Sequence, residues 1–192
     1  MIDNHYPGVK LLNTNSAFFE YNNKTHFTHH KLCRCFFYVI KHPYQIFSEL
    51  KQEGLTAQAA LNLLCNLENK PTMRDVNKDG KKLLFPENSS SWSTNVSSWT
   101  NENVQISLRG LTIYHDDLYN KTEDKLIEIA AHLKESGLEV EINPLEISKI
   151  AEQFKSNEKN KTPLELSNNE KKKIDRDCGD IIDKYFSERT SN

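Results

Sequence analysis

The sequence predicts an α+β fold, in which a small sheet built from hairpins is combined with amphipathic helices. Short apolar runs on either side of turn residues are typical of hairpins, and they occur twice in the first half of the chain. Other segments carry apolar residues at intervals of three and four, as helices do. With 192 residues, of which 36% are apolar, the chain is long enough to bury a core.

The N-terminal residues predict a hairpin followed by a segment of ambiguous type. Residues 9–13 and 17–21 are apolar runs that flank the polar turn 14–16, which favours a hairpin. Residues 32–40 are rich in aromatic and β-branched side chains. Their periodicity does not distinguish a helix from a buried strand, so both alternatives stay open.

Two helices are then predicted to form an αα-hairpin in this N-terminal part. Pro43 suits the first turn of a helix over residues 44–52, and Gly54 is a natural end for it. Thr56 is expected to cap a second helix that runs to Leu67. A short glycine turn between two helices is typical of an αα-hairpin.

A second hairpin is predicted between residues 73–76 and 81–85. The four residues 77–80, Asn-Lys-Asp-Gly, suit a type I turn with glycine in the left-handed position. Residues 86–103 are dense in serine and asparagine and predict a long irregular connection. This connection contains Trp92 and Trp99.

Residues 104–155 predict a β-α-β-α segment. Apolar and polar residues alternate over 104–108, which indicates a strand, and Gly110 suggests a bulge after it. Thr122 is expected to cap a helix that ends at Gly137. Alternation over 138–142 indicates a second strand, and Asn143 and Pro144 begin a second helix; the two helices carry the apolar faces Leu126, Ile129, Ala130, Leu133 and Ile147, Ile150, Ala151, Phe154.

The C-terminal part is predicted to be a polar linker, 156–163, followed by an amphipathic helix and a polar tail within 164–192. Ser167 and Glu170 have the spacing of a capping box. Behind them lies one apolar stripe at helical spacing: Ile174, Cys178, Ile181, Ile182, Tyr185 and Phe186. We expect residues 1–155 to form a single α+β domain, against which this helix packs unless it docks into a partner.

Charge and hydropathy exclude two classes of partner. The formal net charge is −2 and the two signs are interspersed, so we expect no nucleic acid partner. No apolar run approaches the thickness of a bilayer, so we expect no membrane insertion. The first seven residues are polar and do not resemble a Sec signal peptide. A cytoplasmic protein, or one translocated by a route other than Sec, is the expectation.

The densest group of potential metal ligands lies in residues 26–35. His26, His30 and Cys33 would share one face of a helix, and imidazole and thiolate are ligands that zinc accepts. Structural zinc sites take a second pair of ligands from elsewhere in the chain, and the remaining candidates are isolated: His42, Cys65, His115, His132 and Cys178. The expectation is therefore no cofactor, with zinc as the alternative.

A cysteine–histidine nucleophilic pair is a second chemical hypothesis. Cys33, Cys35, Cys65 or Cys178 as nucleophile would need His115 as a base, oriented by Asp116 or Asp117, and Cys33 with His115 and Asp117 is the set retained. No glycine-rich surround marks an oxyanion hole, so catalysis is not the favoured interpretation.

Residues 75–80 resemble the opening of an EF-hand calcium loop. Asp75, Asn77 and Asp79 supply oxygens at positions 1, 3 and 5, and glycine follows at position 6. The twelfth position, which should be a glutamate, is Pro86. A calcium-binding regulatory protein is thus one alternative, and a simple hairpin turn is the favoured one.

Four aromatic residues are candidates for a binding surface. Trp92 and Trp99 lie in the polar segment, where large aromatic side chains are typical of interaction hot spots. Tyr185 and Phe186 belong to the stripe of the C-terminal helix. The alternative for the tryptophans is that they fold down and cover the core.

The polar tail that ends in Ser187-Glu188-Arg189-Thr190-Ser191-Asn192 resembles those of small effectors that intracellular bacteria translocate by type IV secretion. Such tails are enriched in glutamate, serine and threonine. The resemblance implies delivery into a host cell and a host protein as target. Together with the aromatic residues, it favours a non-catalytic module for protein–protein interaction.

Overall fold

The computed structural model describes residues 18, 20–21, 24–25, 33–65, 71–78, 81–88, 90–141, 143–158 and 164–187. These residues form the predicted α+β fold, with helices in the majority. The strands are β1 (Glu20–Tyr21), β2 (Lys24–Thr25), β3 (Phe36–Ile40), β4 (Pro71–Lys78), β5 (Lys81–Asn88) and β6 (Gly110–Tyr114). The helices are α1 (Pro43–Gln52), α2 (Ala57–Leu64), α3 (Trp92–Trp99), α4 (Glu102–Ser107), α5 (His115–Asn120), α6 (Thr122–Glu135), α7 (Pro144–Glu158) and α8 (Asn168–Phe186).

The central sheet of the described chain is a parallel pair, β3 and β6. Phe36 pairs with Gly110 and Ile40 pairs with Tyr114. Of residues 32–40, the stretch Phe36–Ile40 is thus a strand, residues 33–35 have no regular structure, and position 32 lies outside the described residues. Ile40 and Ile113 are almost fully buried, which explains the density of β-branched and aromatic residues in the two strands.

The strand predicted over 104–108 is wrong, because residues 104–107 belong to α4 and Leu108 is its C-cap residue. The side chain of Asn101 accepts a hydrogen bond from the Asn103 amide and caps the helix. Glu102 lies in the first turn, where the helix dipole favours an acid. In so short a segment this cap outweighs the alternation of apolar residues, of which Ile106 points into solvent.

The second hairpin is confirmed. Strands β4 and β5 pair antiparallel from Pro71↔Asn88 to Lys78↔Lys81. The predicted four-residue loop is too long, since this register leaves only positions 79 and 80 between the strands, and these lie outside the described residues. The first predicted hairpin, 9–13 with 17–21, falls almost wholly outside them too. Its described part, β1, pairs with β2.

The αα-hairpin of α1 and α2 is confirmed in its main features. The N-cap of α1 is His42, whose Nδ1 accepts a hydrogen bond from the Tyr44 amide at 3.2 Å. Gly54 has a φ of +94°, the left-handed conformation that allows the chain to leave the helix. Thr56 caps α2 through its hydroxyl oxygen, as predicted. Phe47 of α1 is the largest fully buried side chain in the part of the chain that the structure describes.

The irregular connection predicted over 86–103 is wrong as well. Its first residues continue β5, and residues 92–99 form α3, which Ser91 caps by accepting a hydrogen bond from the Thr94 amide. Trp92, Val96 and Trp99 follow one another at helical spacing and are all buried. Serine and asparagine therefore serve as cap and solvent face of a helix here, and the aromatic residues form its core face.

The β-α-β-α order predicted for 104–155 is also wrong in its second strand. The Leu138 amide donates to the Leu133 carbonyl, and Gly137 has a φ of +83°. These contacts end α6, and residues 138–141 form an irregular connection; position 142 is outside the described residues. Thr122 does not cap α6, since its hydroxyl donates to the Tyr119 carbonyl. Asn143 does cap α7, as predicted.

The C-terminal helix α8 packs back onto the core. It carries the predicted capping box of Ser167 and Glu170. Ile174, Cys178 and Phe186 join the same buried cluster as Ile40 and Phe47. The alternative that the apolar stripe docks into a partner is therefore not what the structure shows. No described helix has the length and apolar character needed to span a membrane.

The ion pair between Lys51 and Glu170 should make α8 sensitive to acid. Nζ of Lys51 lies 2.8 Å from Oε1 of Glu170, and this contact, followed by the hydrogen bonds of the capping box, lowers the pKa of Glu170 to about 2. A carboxyl group with a lowered pKa stabilises the fold above its unfolded pKa and loses that contribution as the pH falls. Glutamine also suits this position of a capping box. We therefore expect Glu170→Gln to lower the free energy of unfolding by about 1 kcal/mol or less at pH 7.

The measurement is urea denaturation at several pH values, with Glu165→Gln at an exposed position as the control. The difference between wild type and Glu170→Gln should shrink between about pH 4.5 and pH 2. A difference that stays constant over this range would show that the charge of Glu170 contributes nothing.

Candidate functional site

Polar side chains gather where β3 and β6 end. His42 follows β3 by two residues, and His115 begins α5 directly after β6. Because the strands are parallel, their carboxyl ends lie at the same edge of the sheet, which is where open α/β sheets bind ligands. We call His42, Gln45, His115 and Asp116 the strand-end cluster.

The contacts within the strand-end cluster centre on the carboxylate of Asp116. Gln45 Nε2 donates a hydrogen bond of 2.9 Å to Oδ1 of Asp116. Nδ1 of His115 lies 3.8 Å from the same oxygen, beyond hydrogen-bond distance. That nitrogen and Oε1 of Gln45 are both buried without a hydrogen-bond partner among the described residues. Two polar atoms thus remain available at this edge.

The charges at this edge are set by burial and by proximity. The pKa of Asp116 is lowered, mainly by the His115 side chain and also by Gln45, against the opposing effect of burial. Burial lowers the pKa of His42, although Asp116 and Asp175 act in the opposite direction. At neutral pH the cluster therefore holds an ionised carboxylate beside a neutral His42 whose Nδ1 is an acceptor.

Residues of α8 cover part of this edge. The ring of Phe186 meets that of His42 edge-on at 4.8 Å and that of Tyr114 at 5.6 Å. The Tyr44 hydroxyl donates a hydrogen bond to Asp175. Burial and this bond raise the pKa of Tyr44 to about 12. At this edge α8 packs against the end of the sheet, so the arrangement resembles a helix–sheet packing interface more than an open catalytic cleft.

The proposed pairing of Cys33 with His115 is wrong. Cys33 precedes the start of β3, whereas His115 follows the end of β6. In a parallel pair these positions lie at opposite ends, separated by five residue pairs, or about 16 Å. Asp117, in the first turn of α5, lies at the same end as His115 and is equally remote from Cys33. The Cys33 thiol instead donates to the Cys35 carbonyl at 3.3 Å, and burial raises its pKa.

The zinc hypothesis concerns residues that are only partly described. His26, His29 and His30 lie outside the described residues, and Cys33 lies just before β3 without helical structure. Among the residues that are described, no group of three or more histidine, cysteine or acidic side chains is placed to hold a metal ion. His115 lies at the opposite end of the sheet from Cys33, whereas Cys178 belongs to the buried core cluster and Cys65 packs against that cluster. None of these three supplies the second pair of ligands for Cys33.

Two of the three residues of the calcium hypothesis lie within the confirmed β4–β5 hairpin. Asp75 and Asn77 are paired within β4, opposite Leu84 and Lys82. In an EF-hand they would belong to a loop that follows a helix. A strand therefore occupies the place where an EF-hand would have its entering helix and the start of its loop. Position 79 is outside the described residues, so calcium binding by Asp75, Asn77 and Asp79 stays a prediction from the sequence.

The predicted aromatic binding surface is largely buried. Trp92 and Trp99 are only 8% and 7% exposed, and Phe186 is 5% exposed. Tyr185 is partly buried, and its hydroxyl lies 2.7 Å from that of Thr100. The prediction that these residues present a contact surface is wrong for Trp92, Trp99 and Phe186, because α3 and α8 turn them into the core. The alternative, that the tryptophans cover the core, is what the structure shows.

A different apolar surface lies on α6 and α7, and sequence reasoning treated it as core. Thr122 is the only buried residue of α6. The apolar stripe of that helix is only partly buried, and Ile127 beside it is 46% exposed; on α7, Ile150 is 50% exposed. Of the apolar side chains on the two helices, Ile127 and Ile150 are exposed and five others are half-buried; we call these residues the α6–α7 face: Leu126, Ile127, Ile129, Leu133, Ile147, Ile150 and Phe154.

The segment that carries this face is strongly acidic. Residues 122–154 contain eight acidic and three basic side chains, a formal net charge of −5, although the whole chain has a net charge of only −2. Most of these carboxylates are exposed, among them Glu123, Glu146 and Glu152. The rest of the chain therefore carries a net positive charge, and the acidic potential is concentrated around α6 and α7.

Comparisons with protein-family models, with curated proteins and with solved structures found no match to this chain.

Proposed function

We propose that the protein is a non-catalytic interaction module whose α6–α7 face binds a basic amphipathic helix of a partner protein. The observation that carries this proposal is the contrast between two amphipathic helices. In α8 the stripe contributes Ile174, Cys178 and Phe186 to the buried core. In α6 a stripe of similar character has no fully buried apolar residue. Among the described residues, nothing completes its burial.

The chemistry of the partner follows from the acidic surroundings of the face. Amphipathic helices bind apolar surfaces through side chains spaced three and four apart. Charge complementarity then selects the sign of the flanking residues and accelerates the encounter. With a net charge of −5 over residues 122–154, a helix flanked by lysine and arginine is favoured and an acidic one is repelled.

Delivery of such a module into a host cell, with a host protein as partner, remains the proposal suggested by the tail. The tail beyond residue 187 lies outside the described residues. The proposed binding surface is independent of the tail, since all its residues lie on α6 and α7.

A direct test uses a model helix as probe. A fluorescein-labelled peptide of about 18 residues, made only of leucine and lysine at helical spacing, would be titrated with the protein and followed by fluorescence anisotropy. We expect saturable binding that weakens as salt is added. Ile127→Asp and Ile150→Asp should each weaken binding by about tenfold or more, because they place a charge in the apolar contact.

The matched control is Ile106→Asp on α4, an isoleucine that is 71% exposed and lies outside the face. It should leave binding of the peptide unchanged. A peptide with glutamate in place of lysine should not bind. The proposal is contradicted if the leucine–lysine peptide fails to bind, or if Ile106→Asp weakens binding as much as Ile150→Asp does.

A further inference from the structure

The first turn of α1 depends on His42. Pro43, the first residue of the helix, has no amide hydrogen, so Tyr44 supplies the first N–H of α1. That N–H is donated to Nδ1 of His42 at 3.2 Å. The amides of Gln45 and Ile46 donate to the His42 carbonyl at 3.0 and 3.2 Å. Residue 42 thus accepts the hydrogen bonds of all three amides, and one of its two acceptors is a titratable nitrogen.

The imidazole of His42 also lies between aromatic rings of two helices. Its centroid is 4.7 Å from that of Tyr44 and 4.8 Å from that of Phe186, and both contacts are edge-on. Phe186 is the last residue of α8, is 5% exposed and meets Trp92 at 6.4 Å. His42 therefore joins the beginning of α1 to the end of α8.

A proton on Nδ1 of His42 is incompatible with this cap. Nδ1 accepts the Tyr44 amide only in the neutral ring that carries its proton on Nε2. In the protonated ring, two N–H donors would face each other across the same contact. The positive charge would also lie at the N-terminus of α1, where the helix dipole disfavours cations.

Two carboxylates act in the opposite direction, and both already accept other hydrogen bonds. Asp116 of α5 and Asp175 of α8 favour the charged ring of His42. Asp116 accepts a hydrogen bond of 2.9 Å from Gln45, and Asp175 accepts one from the Tyr44 hydroxyl. Burial has the larger effect and lowers the pKa of His42. The folded protein therefore favours the neutral ring, which caps the helix.

The other charged and titratable neighbours lie on α1, β6 and α5. Lys41, which precedes His42, is paired with Glu49. Tyr114 presents its ring to the end of α8, and His115 is the second histidine of the strand-end cluster. Nδ1 of His115 and one amide oxygen of that cluster are buried without a hydrogen-bond partner among the described residues. Water that reaches them would satisfy both atoms, so opening this edge costs less than opening a fully paired one.

We propose that His42 is an acid-operated latch between α1 and α8, whose protonation breaks the cap of α1 and releases Phe186 from the edge of the sheet. The opening is local, because the contact of 2.7 Å between the hydroxyls of Tyr185 and Thr100 does not involve His42 and still holds α8 against α3. It exposes the strand-end cluster to solvent at mildly acidic pH. The latch is independent of the α6–α7 face.

The direction of the pH effect follows from the lowered pKa of His42. A base whose pKa is lower in the folded state stabilises the fold at pH values above its unfolded pKa, which is about 6.5 for histidine. That contribution is lost as the pH falls below about 6.5, until the folded pKa has also been passed. We therefore expect a closed latch at about pH 7.5 and progressive opening below about pH 6.5.

NMR of the full chain measures both protonation and opening. The ring signals of His42 report its titration, and amide hydrogen exchange, corrected for its intrinsic pH dependence, reports local opening. Protection of the Tyr44 amide and of the last turn of α8 should fall by about fivefold between about pH 7.5 and pH 5, which is the size expected for the loss of an N-cap. The midpoint of this fall should coincide with that of the His42 ring.

His42→Asn separates the cap from the charge, because asparagine is a good N-cap and does not titrate. This variant should keep the protection of Tyr44 at low pH. The matched control is His115→Asn in the same cluster, which should open as the wild type does. If His42→Asn fails to fold, the two midpoints of the wild type decide. The proposal is overturned if opening persists in His42→Asn, if it disappears in His115→Asn, if the wild-type midpoints differ, or if His42 titrates at or above about pH 6.5.

Discussion

Replacing Trp99 with alanine should lower the free energy of unfolding by about 3–5 kcal/mol. The indole is 7% exposed, and it is surrounded by three aromatic rings. Its centroid lies 5.0 Å from that of Phe36, 5.5 Å from that of Phe18 and 6.2 Å from that of Tyr38. Removal of the side chain would leave a cavity beside β3 and remove these ring contacts as well.

Urea denaturation at neutral pH measures this loss. The control is Leu145→Ala on α7, where the leucine is 75% exposed and the change should stay within about 0.5 kcal/mol. If Trp99→Ala proved as mild as Leu145→Ala, the burial of α3 against the sheet would be wrong. The prediction from sequence that Trp99 is exposed at the surface would then regain support.

Replacing Gly110 with alanine should lower the free energy of unfolding by about 1–3 kcal/mol, because the added methyl group overpacks the site. A Cβ at this position would lie 2.6 Å from Cε1 of Phe36 and 2.6 Å from Oε1 of Gln105. Neither side chain is free to yield, because Phe36 packs on Trp99, and Gln105 donates hydrogen bonds to the Trp99 carbonyl and the Thr112 hydroxyl.

The matched control for this substitution is Gly179→Ala in α8. A Cβ there would meet nothing within 4 Å, and alanine is favoured over glycine in a helix by roughly 1 kcal/mol. Thermal denaturation should therefore show opposite signs for the two variants. Equal and small shifts would show that β6 does not approach Phe36 and Gln105 so closely.

Helix ends were the part of the fold that the sequence predicted best. Thr56, Asn143 and Ser167 cap the helices assigned to them, and Gly54 and Gly137 both have positive φ. Caps and glycine stops are local, since a side chain bonds an amide two or three residues away. They are consequently visible in a short window of sequence.

Strands were predicted less well, because their existence depends on a distant partner. Residues 36–40 become a strand only through pairing with Gly110–Tyr114, which lie more than 70 positions away. The alternation at 104–108 and 138–142 looked equally strand-like but finds no such partner among the described strands. Alternation over five residues does not encode a partner.

The candidate sites show the same limit. His115 and Asp117 are candidates in the sequence as base and orienting acid, and the structure places both directly after the end of β6. Cys33 lies at the opposite end of the sheet because β3 and β6 run parallel. The direction in which two distant strands pair cannot be predicted from a local sequence pattern. The partial exposure of α6 depends likewise on tertiary packing.

The shared core of α1 and α8 has a consequence for how the chain is synthesised. Phe47 and Ile40 are enclosed together with Ile174, Cys178 and Phe186. At about 5–20 residues per second, a ribosome needs several seconds or more between Phe47 and the end of α8. During that interval the apolar side of α1 is without its final cover. The first half of the nascent chain must therefore stay soluble, with this apolar surface exposed, until the last described helix has emerged from the ribosome.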